Sequence, residues 1–371
     1  MNTLVFVVLA LLMAALVACV SIGESSEDML DAEPTSEPEE QVRAVANIPL
    51  ATLWYLVYGF DQVTGACKGG LDSTGWERPQ ETVYYPDAGL YCSGDDDYIA
   101  YAIAKMKEAG IDTIFLSWNG DGDVDFDTIE DAPDFAATDA AVLKILQYLN
   151  LNEPTMKVAL LVEAFMLSAH PPILPSAVTV PRKQGILDDV WERFYNVYPN
   201  QIFNLDGKPL IFTWRPPEGR FLLSETADPR FTFREWGVLS EGAEWEMTAI
   251  DGLDGMKIGT DGTIWIFPRF DEYYMWINGH PGLASKAFED LVRQDVRLEE
   301  GLYDAAWKKV YDNVDDITMV VVYGWNPWAE SPSLEPSSVG PYPQGHTLIE
   351  KSLWYFTRLL QGDSYRKFPA K

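Results

Sequence analysis

An eight-stranded α/β barrel is the fold that the sequence predicts, on three observations. Short apolar runs recur along the 371 residues, and most lead into a segment with helical periodicity, the pattern of parallel strands covered by helices. The roughly 320 residues beyond the N-terminal region suit a closed barrel better than an open sheet. Finally, Gly59, Gly65, Gly69 and Gly70, which follow the first apolar run, have neither dinucleotide-binding spacing nor the lysine of a phosphate loop, so a nucleotide fold loses support.

The elements follow in order. Leu53 to Tyr58 reads as the first strand, and Tyr98 to Ala109 as a helix ended by Gly110. Thr113 to Trp118 is the second strand, with a helix near Ala137 to Leu149. Val158 to Val162 is the third, with a helix near Gly185 to Tyr198. Leu210 to Trp214, Thr263 to Phe267 and Thr318 to Tyr323 are further strands, and Thr347 to Leu360 is a closing helix. Arg215 to Gly262 carries no clear pattern.

Three regions are expected: residues 1–18 as a signal peptide, 19–46 as an acidic tether and 47–371 as one barrel domain. Leu4 to Val20 is apolar over about 17 residues, nearer a signal-peptide core than a membrane span. It closes with Leu16-Val17-Ala18-Cys19, which resembles the lipobox of prokaryotic lipoproteins. That resemblance implies cleavage before Cys19, lipidation of its sulfur and an extracytoplasmic body anchored to the membrane of a prokaryotic cell. The alternative is an uncleaved anchor helix. Ser21 to about Val45 is rich in Glu, Ser, Asp and Pro, a composition that buries nothing and suits a spacer. With Cys19 consumed by lipid, Cys67 and Cys92 are left, and an exported chain tends to oxidise such a pair.

Asp and Glu number 57 against 27 Lys and Arg, a formal charge of −30, which repels nucleic acid and acidic polymers. The chain is expected to act as a monomer without metal or other cofactor. Asp121 to Asp127 alternates carboxylates but lacks the glycine and closing glutamate of a calcium loop, and His170, His280 and His346 have no ligand spacing.

In a parallel barrel, binding residues lie at the C-terminal strand ends. There the sequence places Tyr58, Trp118 and Asn119, Glu163, Trp214 and Arg215, Asp271, and the run Trp325-Asn326-Pro327-Trp328-Ala329-Glu330, with Glu335 following and Asp61 in reserve. Indoles stack on pyranose faces while amides and carboxylates hold hydroxyls, so this recurrence suits a carbohydrate cleft. Glycoside hydrolysis needs one carboxylic acid for the leaving oxygen and a second carboxylate as nucleophile or base. Glu330 and Glu163 are the leading pair. Each Trp has core packing as its alternative role, and each carboxylate an ordinary ion pair or turn cap.

These segments, in order, resemble the barrel enzymes of glycoside hydrolase family 99, the endo-α-mannosidases and endomannanases. Trp54 to Gly59 is similar to the family's tyrosine-rich first strand, and Gly110 to Trp118 is the next segment that carries the resemblance. Val162-Glu163-Ala164-Phe165 is similar to its Ile-Glu-Pro-Tyr strand end, and Leu205 to Phe212 comes next. Gly324 to Glu330 with Leu334-Glu335-Pro336 resembles its Trp-Asn-Glu-Trp-x-Glu loop and trailing Ile-Glu-Pro. The resemblance covers about Leu53 to Leu360 and implies a glycosidase acting on polysaccharide or glycoprotein glycans, with Glu330 as general acid/base. At the family's first loop glutamate, thought to take the proton of the sugar 2-hydroxyl, this chain has Pro327, which accepts no proton. Either Glu163 or another carboxylate supplies the second function, the substrate or stereochemistry differs, or the protein is a surface glycan binder that does not cut.

Overall fold

The computed structural model describes residues 48–56, 58–60, 66–67, 86–89, 91–118, 120, 133–163, 179–214, 222–237, 245–246, 253–268, 270–271, 293–294, 301–326, 334–337 and 347–369. The strands are β1 (Leu50–Trp54), β2 (Thr113–Trp118), β3 (Lys157–Val162), β4 (Asn204–Leu205), β5 (Lys208–Trp214), β6 (Thr232–Gly237), β7 (Trp245–Glu246), β8 (Thr263–Ile266), β9 (Phe270–Asp271), β10 (Arg293–Gln294) and β11 (Met319–Val322). The α-helices are α1 (Asp96–Glu108), α2 (Pro133–Asn152), α3 (Val180–Val190), α4 (Leu302–Asp312) and α5 (Thr347–Leu360).

The main sheet runs β7-β6-β5-β3-β2-β1-β11-β8, and every pairing along that path is parallel. Read from β1, the strands follow chain order in one direction and reach β11 and β8 in the other, the cyclic order of a barrel. The fold is therefore α/β and barrel-like. At the open junction the indoles of Trp245 on β7 and Trp265 on β8 lie 5.9 Å apart between ring centroids. The indole N–H of Trp245 also donates to Asp261, just before β8 (2.9 Å), and Arg234 of β6 donates to the same carboxylate (2.7 Å).

The sheet encloses an aromatic core. Phe115 lies 4.9 Å from Phe212 and 5.9 Å from Trp245, while Trp236 stacks on Trp265 at 4.9 Å. Such ring pairs contribute about 0.5–1.5 kcal/mol each beyond the area they bury. β4 and β5 form a tight hairpin whose turn residues, Asp206 and Gly207, both have positive φ (55° and 77°), the backbone that Asp-Gly favours. Helix α1 begins at Asp95, whose carboxylate accepts from the N–H groups of Asp97 (2.9 Å) and Tyr98 (3.1 Å). Its apolar stripe of Tyr98, Ile99, Ala102, Ile103 and Met106 is buried at helical spacing.

One expectation needs correction, and the structure adds elements where the sequence carried no clear pattern. The first strand runs from Leu50 to Trp54 rather than Leu53 to Tyr58, because Leu50 to Thr52 pair with Val320 to Val322 and the chain leaves the ladder after Trp54. Among its described residues, the stretch from Arg215 to Gly262 holds β6 and β7. β6 was obscured by Arg234 and Glu235 in Thr-Phe-Arg-Glu-Trp-Gly, yet Arg234 is accommodated because Asp261 and Asp206 pair with it. Likewise, α4 adds a helix before the last strand, its buried face formed by Tyr303, Asp304, Ala306, Trp307 and Val310. Asp304 broke the apolar pattern, but it is paired with Lys351 at 2.9 Å and accepts from Tyr355 at 2.8 Å.

A titratable joint ties the approach to β6 onto α3. Asp228 accepts from the Arg230 guanidinium (3.0 and 3.1 Å from Nε) and from Gln184 (2.7 Å), and Arg230 also reaches Asp188. The Arg230 bonds, opposed by burial and reinforced by Gln184, lower the Asp228 carboxyl to about 2. A folded-state value below the ordinary carboxylate range means that the joint's stabilisation is complete above about pH 4 and is lost as pH falls through about 2. Asp228→Asn is expected to cost about 2 kcal/mol at pH 7, with the gap to wild type closing toward pH 2. Thermal unfolding of both proteins across that range checks it, and a gap constant with pH refutes the assignment.

Candidate active site

The pleat of each strand decides which side chains reach the barrel interior. On β2, Phe115 belongs to the aromatic core, so Ser117 shares its face. On β3 the partner of Phe115 is Ala159, which puts Leu161 and then Glu163 on that face. The Ser117 hydroxyl donates to Glu163 Oε1 at 2.9 Å, as this alternation requires. Glu163 is only 4% exposed. On β1 the inward series runs Ala51, Leu53, Tyr55, and on β11 it runs Val321, Tyr323. The Tyr55 and Tyr323 hydroxyls lie 3.3 Å apart, and Tyr323 meets Trp236 of β6 at 5.4 Å. The inner C-terminal rim thus includes Tyr55, Ser117, Glu163, Trp236 and Tyr323.

Of the expected site residues, Glu163 alone among those with described side chains sits on this inner face. Trp118 alternates outward, where its indole N–H donates to Asp139 of α2 (3.0 Å) and its ring meets Phe194 edge-on at 6.0 Å. It packs between sheet and helices, which is the core-packing alternative for that residue.

Four others gather on a second cluster behind the β11 end. Asn326 is fully buried. Its amide accepts from the Tyr55 N–H (2.9 Å) and donates to the Tyr55 carbonyl (2.9 Å) and the Tyr91 hydroxyl (3.1 Å). Tyr91 in turn donates to Glu335 Oε2 at 2.8 Å. The Trp325 indole donates to Tyr98 of α1 (3.3 Å), and Tyr98 stacks face to face on Tyr91 with centroids 3.4 Å apart. Tyr58 approaches Tyr91 edge-on at 6.2 Å and is held by reciprocal bonds with Ser93. Burial, then the negative charge of Glu335 and the neighbouring Tyr91, push Tyr98 well above the ordinary phenol range, so its hydroxyl stays a neutral donor and acceptor. The cluster positions the segment after β11 against β1.

The Cys67–Cys92 disulfide is present, with Cα atoms 5.5 Å apart. It holds Tyr91's segment beside Gly59, where a Cβ would come within 2.2 Å of the Tyr91 carbonyl oxygen and φ is +83°. Asp271 lies on β9, which pairs with β10 in a separate antiparallel ribbon, and Trp214 is the last residue of β5; only their backbones are described. Glu330, Asn119, Arg215, Trp328, Pro327, Asp61 and Cys19 lie outside the described residues. Tyr55, Ser117, Trp236 and Tyr323 are not the residues just after the apolar runs of the sequence; alternation counted from the core is the signal that puts them on this face.

No protein-family model and no curated protein matches the chain. Among solved structures, it is similar to the GH99 endo-alpha-mannosidase from Bacteroides thetaiotaomicron in complex with BIS-TRIS-propane, with a TM-score of 0.56 and 15% identity over 85% of this chain and 98% of that one. A second structure of that enzyme gives a TM-score of 0.56 and 15% identity over 84% and 98% of the two chains. A glycoside hydrolase-like protein aligns with a TM-score of 0.49 at 11% identity, over 86% and 97%. With the parallel strand order above, the two likenesses at a TM-score of 0.56 give the chain a distant GH99-like fold.

Proposed function

We propose that the protein is a glycoside hydrolase acting on polysaccharide or glycoprotein glycans, with Glu330 as general acid/base and Glu163 as the second carboxylate. The observation that carries this reading is Glu163 itself, a buried carboxylate on the inner rim, oriented by Ser117 and sharing that rim with Tyr55, Trp236 and Tyr323. A carboxylate shielded from water and set among aromatic rings suits sugar binding and proton transfer. The barrel closes between β7 and β8 to the full (β/α)8 form, a reading supported by the Trp245–Trp265 contact and the Asp261 bonds across that junction. The body is exported, held by lipid at Cys19 on the acidic tether, on the strength of the sequence around Leu16 to Cys19.

Pro327 supports a second reading, a glycan-binding protein that does not cut, since it stands where a proton-accepting glutamate is expected. Both readings are tested by screening glycans and polysaccharides against the chain from Asn47 onward, with calorimetry alongside product analysis and Glu330→Gln in parallel. Cleavage that Glu330→Gln abolishes supports the hydrolase. Micromolar binding with no products after long incubation supports the binder. Cleavage untouched by Glu330→Gln removes Glu330 from the mechanism.

A further inference from the structure

A pocket of about 410 Å³ opens beside the first turn of α1, apart from the inner rim and next to the disulfide. Its volume falls in the range of small-molecule sites, about 300–1,000 Å³. Tyr91, Tyr98, Tyr101, Asp97 and the two disulfide cysteines are among its lining residues; Tyr91 and Tyr98 are buried and stacked on each other, whereas Tyr101 is only partly buried.

The lining favours one kind of ligand. Tyrosine ring faces carry negative electrostatic potential and attract cations, most of all the soft charge of an organic ammonium group. The Tyr101 hydroxyl is buried with no hydrogen-bond partner among the described residues, while the residue as a whole is partly exposed and lines the pocket. Among the described residues that line it, none is a lysine, arginine or histidine. Lys144, which reaches the start of α1, pairs with Asp96 (2.9 Å) and the Gly94 carbonyl (2.8 Å). Burial first, then the charges of Glu335 and Asp87, raise the Tyr101 hydroxyl above the ordinary phenol range, evidence of a negative field at this wall. The helix start does not reverse that sign, because the Asp95 carboxylate already takes the N–H groups of Asp97 and Tyr98.

We propose that this pocket binds a small organic cation, a quaternary or primary ammonium group seated against the Tyr101 ring with Asp97, one helical turn before it on α1, as its counter-charge. The site is independent of glycoside hydrolysis and stands whether or not the inner rim cuts a glycan.

The test is calorimetry on the full chain with choline chloride and with tetramethylammonium chloride, against sodium chloride at matched ionic strength and against glucose as a neutral probe of similar size. Saturable binding of both ammonium ions is expected, with none for glucose. Asp97→Asn, an exposed change that keeps the fold, and Tyr101→Leu are each expected to weaken choline binding by about three- to tenfold. Absence of a saturable isotherm up to about 50 mM choline overturns the proposal. So does glucose binding as tightly as choline, or choline binding that both variants leave unchanged.

Discussion

Glu163→Gln is expected to lower glycan hydrolysis by about 10²- to 10⁴-fold while leaving the unfolding temperature close to that of the wild type. The exchange is isosteric and keeps an oxygen to accept from Ser117, so the inner rim retains its shape. What it removes is the capacity to take or give a proton, or to attack, at a position 4% exposed, where bulk water is a poor substitute. The sign of the kinetic change separates three roles. Loss confined to kcat, with KM unchanged, marks a group acting in the transition state. Loss of affinity alone marks a hydroxyl contact. A destabilised protein with normal kcat marks a structural carboxylate, and that outcome withdraws Glu163 from the mechanism. If Glu163 and Glu330 are the working pair, a separation of about 5–5.5 Å between their carboxyls predicts retention and about 6.5–9.5 Å predicts inversion, which NMR of the first-formed product reads directly.

The strands that form the barrel-like sheet are legible in the sequence wherever both faces of a strand are buried among apolar neighbours, as in Thr113 to Trp118 or Met319 to Val322. Legibility fails where an inward side chain is charged and satisfied by another part of the chain. Arg234 is the example: its partners, Asp261 and Asp206, lie about 27 residues away on either side, too far for any local pattern to report. The candidate site divides in the same way. Glu163 follows from the strand end, but Trp118 is turned toward the helices by the two-residue alternation, and Trp325, beyond the end of β11, departs from that alternation to reach Tyr98 of α1; composition alone registers neither. Tyr91 is a further case. It lies in no predicted element, yet the disulfide, Gly59 and Asn326 fix it where it joins β1, α1 and Glu335.

Asn326→Ala is expected to destabilise the fold by about 2–4 kcal/mol, and to lower kcat more than it raises KM. Three bonds are lost together, a buried one to Tyr91 and two part-buried ones to the backbone of Tyr55, whose N–H and carbonyl lie beyond the last ladder pair of β1. Buried polar groups stripped of partners carry their full desolvation cost, which exceeds the net worth of the bonds. Because Tyr55 also brings its hydroxyl to Tyr323 on the inner rim, slack at its backbone reaches the site without any change in a substrate contact. Asn326 leads directly into the segment that carries Glu330, so the same slack displaces the proposed acid and shows in kcat. Asn326→Asp is expected to rescue little: it preserves an acceptor for the Tyr55 N–H but sets a carboxylate oxygen against the Tyr55 carbonyl. The discriminating measurement is hydrogen exchange at the Tyr55 amide, which speeds up if Asn326 is the clamp between β1 and β11. Unchanged protection at that amide, together with weakened glycan affinity, makes Asn326 a ligand contact instead.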